Sequence, residues 1–218
     1  MSRPICQACP TCGRGSYLDH ELPPNLFGQK WYACQFCGLY FTGEPAPDVL
    51  VAHYASKANV GNRRNWFRHQ CAKVRAKSQK RYIEKHTGLH GGLMVDIGHG
   101  GGELLREFEW DDWYIYGIEY VHCIPKLNCS LVTMSHVLEH TCDPESTLSS
   151  IKNGIDYIFI EVPDADKLPR TFTVEHLTNF NGLSLGVTLT KAGYEVVDMT
   201  ELWWPTIGHV IRCIGRPI

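Results

Sequence analysis

The chain has little charge imbalance and no long apolar run. Its 218 residues carry 21 Lys and Arg against 23 Asp and Glu, a formal net charge of −2. No stretch approaches the roughly 18–20 apolar residues of a membrane helix, so no such span is expected. Met1–Cys6 has no apolar run of the signal-peptide kind, so a cytoplasmic rather than secreted protein is expected. His136 and His140 stand four apart, a spacing that a second metal site could use, but no H-E-x-x-H occurs, which disfavours it. At 44% hydrophobic and 20% charged, the chain can bury a core and is not a disordered tail.

What the chain has in excess is cysteine, ten in all. Cys9-Pro-Thr-Cys12-Gly and Cys34-Gln-Phe-Cys37-Gly form two matched C-x2-C-G turns. Each turn lets two thiolates face one ion, and the glycine permits backbone N–H groups to aim at the sulfurs. Residues 13 to 33 separate the pairs, a spacing that suits a zinc ribbon with strands near Ser16–Leu18 and Lys30–Ala33. Cys6 makes a further C-x2-C with Cys9; the matched shape favours Cys9, Cys12, Cys34 and Cys37 as ligands. Four thiolates leave no open coordination position, so the zinc is expected to be structural. Cys71, Cys123, Cys129, Cys142 and Cys213 are scattered and read as small buried hydrophobes in a reducing compartment.

Residues 44–62 read as a linker with a short helix near Pro47–Tyr54, and Arg63–Lys85 as a long helix. Phe67, Cys71, Val74 and Tyr82 are expected on its apolar face. Nine of the 21 basic residues lie there, beside one acid, Glu84. A solvated basic face is the plain reading, and contact with phosphate, of a nucleotide-linked substrate or of nucleic acid, the sharper one.

Leu93–Ile97 is a short apolar run ending in Gly98-His-Gly100-Gly-Gly102-Glu103, with Leu104 and Leu105 beginning a helical stretch. Strand, glycine loop and helix together let a backbone approach a ligand closely. Asp96 ends the first strand; a second, Trp113–Ile118, leads to Glu119, placed to accept from ribose hydroxyls. The loop lacks G-x-G-x-x-G, because Glu103 stands where the last glycine would be, which disfavours a dinucleotide dehydrogenase.

Val95-Asp-Ile-Gly-His-Gly100 resembles motif I of class I S-adenosylmethionine-dependent methyltransferases. Leu131–Pro144, with His136-Val-Leu-Glu-His140 and Asp143-Pro144, is similar to their fourth strand and turn, and Tyr157–Pro163 to their fifth. Glu175-His176-Leu-Thr-Asn-Phe180 and Ala192-Gly-Tyr-Glu-Val196 resemble later segments, and the cysteine turns resemble the zinc-binding leader of sugar and polysaccharide methyltransferases. The resemblance implies an α/β fold, an abbreviated Rossmann-like class I sheet. It implies three parts: a ribbon over 1–43, a linker and basic helix over 44–90, and a methyltransferase-like domain over 91–218. It further implies S-adenosylmethionine as cofactor, held by Asp96, Gly98, Gly100, Gly102, Glu119, Ser135 and His136. A small sugar-like acceptor is implied, with His140, Glu175 and His176 as catalytic residues. Thr173 stands where the carbon-methylating relatives have tyrosine, which leaves O-methylation open.

One element is short. Tyr120–Ser130 offers 11 residues before the next strand. A parallel crossover alone takes about a dozen or more, so a third strand with its helices is expected to be missing. Tyr120, His122 and Ile124 then line either a crossing loop or an adenine wall. The alternatives are a catalytically inactive, methyltransferase-like zinc-binding interaction protein and an RNA-binding or RNA-modifying methyltransferase that uses the basic helix. The last segment, Trp203-Trp204-Pro205 with His209–Ile214, fits an antiparallel hairpin.

Overall fold

The computed structural model describes residues 7–19, 22, 24–25, 28–43, 49, 66–98, 100–108, 112–116, 128–167 and 176–218. The expected helix near Pro47–Tyr54 lies outside these, apart from Val49, and so do Glu119 to Ile124, Thr173 and Glu175.

Four short strands open the chain: β1 (Gln7–Ala8), β2 (Gly15–Asp19), β3 (Trp31–Cys34) and β4 (Tyr40–Phe41). They follow one another antiparallel, as the ribbon reading expects. Helix α1 (Trp66–Thr87) comes next, then β5 (Leu93–Ile97), β6 (Asp112–Tyr116) and β7 (Cys129–Ser135). Helix α2 (Pro144–Ile151), β8 (Ile155–Pro163), β9 (Thr178–Asn179) and α3 (Gly182–Lys191) continue. The hairpin of β10 (Tyr194–Trp204) and β11 (Gly208–Pro217) ends the chain, as its sequence suggested.

The large sheet runs β10-β11-β8-β7-β5-β6. β6, β5, β7 and β8 are parallel, and β11 enters antiparallel beside β8. Within the described residues β6 is an edge strand. Alternation along the central strands divides the core. Val95, Ile97, Val132, Met134, Ile158 and Ile160 face one side, toward α2 and α3. Met94, Leu131, Phe159 and Ile214 face the other, toward Ile83 of α1 and Leu104, Leu105 and Phe108. Both sides are covered, so β7 and β8 can be apolar nearly throughout.

Local signals explain the helix starts. Asp143 accepts from the Ser146 N–H at 2.9 Å with Pro144 in the first turn, and Asn181 forms a reciprocal capping box with Ser184.

Two local expectations differ. The helical stretch after the glycine loop is only a 3-10 turn, Leu105–Glu107. The inward face of α1 is Ala76, Gln79 and Ile83, whereas Val74 is 58% exposed. At Ala76 and Gln79 the stripe is small or polar because it lies over a cavity and a buried carboxylate, whereas Tyr82 and Ile83 pack on the apolar sheet face. Lys73, Lys77, Arg81 and Lys85 form an exposed stripe, four residues apart, on the outer side of α1.

The ribbon is not a free appendage. β4 pairs with β9, Tyr40 opposite Asn179 and Phe41 opposite Thr178, so β9 completes the ribbon sheet. Thr42 N–H donates to the Leu177 carbonyl at 2.8 Å, and the buried hydroxyls of Thr11 and Thr188 meet at 3.0 Å. Cys9, Cys34, Cys37, Leu39 and Phe41 share one apolar cluster with the large sheet.

Candidate active site

A cavity of about 300 Å³ opens at the carboxyl ends of β5 and β7, roofed by α1. Ligands of open α/β sheets bind at such strand ends. Ala72, Arg75, Ala76 and Gln79 of α1 form one side; Asp96, Gly98, Gly100, Glu103, Ser135 and His136 form the other. Five of the seven expected cofactor residues therefore converge: Asp96, Gly98, Gly100, Ser135 and His136. Gly102 lies in the same loop, with φ +71°, and Glu119 is outside the described residues.

Gly98 is required by geometry. Its φ is +71°, and a β-carbon there would fall 2.5 Å from Val137 Cγ2. The chain can turn sharply off β5 only with hydrogen in that place. Asp96, one register step before the strand end, is 3% exposed and accepts from the Thr133 hydroxyl at 2.6 Å across the β5–β7 ladder. Burial raises its carboxyl to about 7, against which the Thr133 hydrogen bond works.

Beside it stands a polar row. Ser135, Glu161 and Arg212 are register partners across β7, β8 and β11. Glu161 is wholly buried. Gln79 donates to Glu161 Oε1 at 2.9 Å and to Ser135 Oγ at 3.0 Å. Arg75 lies 3.4 Å from Glu161 Oε1, and the buried Arg212 Nε pairs with Glu161 Oε2. Arg212 also donates to Ser78 Oγ at 2.8 Å and lies over the Trp204 ring at 5.3 Å. One carboxylate thereby ties α1 to the sheet directly above the cavity.

His136 is the only described non-glycine residue with positive φ, +58°. Such backbone is costly and collects at functional sites. Its Nε2 lies 3.7 Å from Glu161 Oε1 and its Nδ1 3.3 Å from Glu139 Oε1, the latter out of line for a hydrogen bond. Leu138–His140 is a 3-10 turn that buries Glu139 completely. Burial alone would raise the Glu139 carboxyl; His136, with His140 and His176, outweighs it and holds the group at about 2. His140 and His176, far apart in sequence, meet edge to face with ring centres 5.0 Å apart. His176 is held below the ordinary imidazole range, first by burial, and its Nδ1 lies 3.0 Å from Asn179 Oδ1.

Glu139, Gln79 and Arg212 escaped the sequence reading. Arg212 had a signal, a lone charge inside an apolar strand. Glu139 lay in plain view between two histidines. Gln79 carried none, being one polar residue on a polar helix.

The four ribbon cysteines come together as expected, with their sulfurs within 4.8 Å of one another. Cys9 and Cys37 are 3.7 Å apart and Cys12 and Cys34 3.4 Å. Contact between Cys9 and Cys37 favours the first ionisation of the pair and disfavours the second, so the two thiols share one thiolate.

No protein-family model matches the chain, and no curated protein matches it. Solved structures do. The 1,6-didemethyltoxoflavin-N1-methyltransferase of Burkholderia thailandensis, with its substrate and S-adenosylhomocysteine bound, superposes with a TM-score of 0.61 at 14% identity, covering 87% of this chain and 95% of its own. Magnesium protoporphyrin IX methyltransferase from Synechocystis, with bound S-adenosylhomocysteine, gives 0.53 at 9% identity over 78% of this chain and 95% of its own. A putative methyltransferase from Bacillus halodurans gives 0.51 at 12% identity over 65% of this chain and 100% of its own. At these identities the likeness establishes the fold, that of the class I S-adenosylmethionine-dependent methyltransferases.

Two predictions follow from the cavity. Glu161→Gln leaves Arg212 buried beside a neutral amide; unfolding in urea is expected to show a loss of about 3–5 kcal/mol. Asp96 has its pKa raised from 3.8 to about 7 on folding. The stability of its neutral, buried form is therefore complete below pH 4 and lost as pH rises through 7. Asp96→Asn removes that dependence, so its melting temperature relative to wild type is expected to climb between about pH 4 and pH 8. A flat difference across that range would contradict it.

Proposed function

We propose that this protein transfers a methyl group from S-adenosylmethionine to a small, sugar-like acceptor. The observation that carries the reading is the glycine cradle beside a buried acid, Gly98 and Gly100 with Asp96, at the strand ends of this fold. The residues fit the cofactor's amino-acid end: backbone that only glycine permits, and a carboxylate to meet an ammonium group. Ser135 and His136 would flank it, Gly102 would shape the loop, and Glu119 would take the ribose. When bound, S-adenosylmethionine supplies an electrophilic methyl group on a sulfonium that departs as a neutral thioether.

The chain's own task is then to orient the acceptor and take up its proton. His140 and His176 form the acceptor side, behind His136. His140 is part-exposed and can meet an acceptor hydroxyl; His176, whose burial disfavours the charged imidazole, lies with Nδ1 3.0 Å from Asn179 Oδ1. Glu175 joins them through the sequence resemblance, which is also the basis for a sugar-derived acceptor. A sheet that ends at β6, with no third strand, would leave the adenine to residues 120–130.

For the ribbon we infer structural zinc. Four sulfurs about 2.3 Å from a tetrahedral ion stand about 3.8 Å apart, close to the 3.7 and 3.4 Å of the two contacting pairs. The ion would brace β4, on which β9 and therefore the His176–Asn179 segment are built. The three-part division, 1–43, 44–90 and 91–218, follows with the ribbon acting as a buttress.

Calorimetric titration with S-adenosylhomocysteine is expected to show one saturable site, weakened more than tenfold by Gly98→Ala. Absence of binding at millimolar ligand would favour a non-enzymatic scaffold. Metal analysis of purified protein is expected to find zinc that Cys34→Ser loses together with stability, since metal and fold are coupled; a variant that keeps its zinc would refute the ligand assignment.

A further inference from the structure

Behind the cavity wall lies a second cluster of ligating side chains. Glu139 is wholly buried, and neither of its oxygens accepts a hydrogen bond. An ionised carboxylate without such partners is costly in a protein interior. What surrounds it is imidazole. His136 Nδ1 is 3.3 Å and His176 Nε2 3.9 Å from Glu139 Oε1. One ligand atom from each of Glu139, His140 and His176 lies within 4.8 Å of the others.

The tautomer of His176 sharpens the point. His176 Nδ1 lies 3.0 Å from Asn179 Oδ1. In the tautomer that donates its Nδ1 proton to that oxygen, the Nε2 lone pair is left toward Glu139 Oε1, 3.9 Å away. Two lone pairs aimed into one buried space repel unless a proton or a metal ion lies between them. A histidine whose far nitrogen donates to a carbonyl oxygen is the usual supporting arrangement of a metal ligand. The backbone holds this geometry from both sides: Leu177 N–H donates to the Glu139 carbonyl at 2.8 Å, joining the two ligand segments directly.

We propose that Glu139, His140 and His176 bind a divalent transition-metal ion, separate from the four-cysteine site. Two imidazoles and one carboxylate select Zn²⁺ or its first-row neighbours over Mg²⁺ and Ca²⁺, which prefer oxygen. Donors about 2.0–2.2 Å from a tetrahedral ion stand about 3.3–3.6 Å apart, a modest contraction of the observed cluster. Three protein ligands leave a position open, on the side of His140, the part-exposed member. His136 lines the cofactor cavity and also contacts Glu139, its Nδ1 3.3 Å from Oε1. There the ion would orient an acceptor oxygen and make its hydroxyl more acidic, taking over the proton handling assigned above to free imidazole. This role rests on the methyl-transfer reading; binding of the ion does not.

The test is metal stoichiometry. Protein as purified, saturated with Zn²⁺ and freed of excess by gel filtration, is expected to hold one equivalent more than Glu139→Gln. His176→Gln should show the same loss, with circular dichroism confirming that both variants fold. Titration with Co²⁺ gives a second readout: the extra equivalent should show visible d–d bands without thiolate charge transfer, absent from both variants. Equal stoichiometry in wild type and Glu139→Gln, or Co²⁺ bands from thiolate alone, would overturn the proposal. S-adenosylhomocysteine binding to the same wild-type sample separates the two readings. The extra metal equivalent without ligand binding sustains the site and sinks methyl transfer. Ligand binding without the extra equivalent sinks the site and leaves methyl transfer standing.

Discussion

A single buried carboxylate, Glu161, sets the geometry of this molecule. It has no access to water, so its charge must be met from within the protein. Arg212 meets it from the neighbouring strand, and Gln79 and Arg75 from helix α1. Because the helix supplies two of these partners, it is docked at one height and one rotation over the strand ends. The cavity is the space left between that helix and the glycine loop. A well-packed apolar contact could have been as stable, but it would have tolerated sliding. Directional hydrogen bonds to one carboxylate do not. The inward face of α1 is therefore small and polar, Ala72, Ala76 and Gln79, where an ordinary amphipathic helix would carry leucine.

The ribbon performs the corresponding service on the other side. Its last strand pairs with Thr178–Asn179, and the same short segment carries His176 and the Leu177 amide that holds the Glu139 turn. A cluster of four cysteines near the amino terminus is in this way coupled to His176, more than a hundred residues later in the chain. Metal in the ribbon would stiffen β3 and β4, hence β9, hence the placement of His176 against His140. The ribbon belongs to the architecture of the site through the β4–β9 pairing.

Much of this was legible in the sequence where the signal is local. Leu93–Ile97, the glycine loop, the matched cysteine turns, the Asp143-Pro144 helix start and the final hairpin each depend on residues within a few positions of one another, and each lies where its residues say. The face of α1 was misread at Val74, which is exposed, because periodicity assumes an apolar surface along the whole helix, whereas Tyr82 packs on the core as its spacing predicts. The helical stretch expected after Gly102 shrank to one 3-10 turn. The shortness of the chain after Glu119 was visible by counting, and the described sheet has β6 at its edge.

What the sequence determined by itself is the chemistry of the parts: a four-cysteine cluster, a turn that only glycine can make, an acid at a strand end, histidines in two separate motifs. These follow from residue type and short spacing. Tertiary structure alone decided their company. Arg212 finds Glu161 through an antiparallel register between strands some 50 residues apart. Gln79 reaches the same carboxylate across the cavity, and Glu139 is surrounded by imidazoles from two loops. Such meetings are set by sheet order and by the unfavourable free energy of a buried, unpartnered charge. No local pattern encodes them, because the partners are neighbours only after the chain has folded.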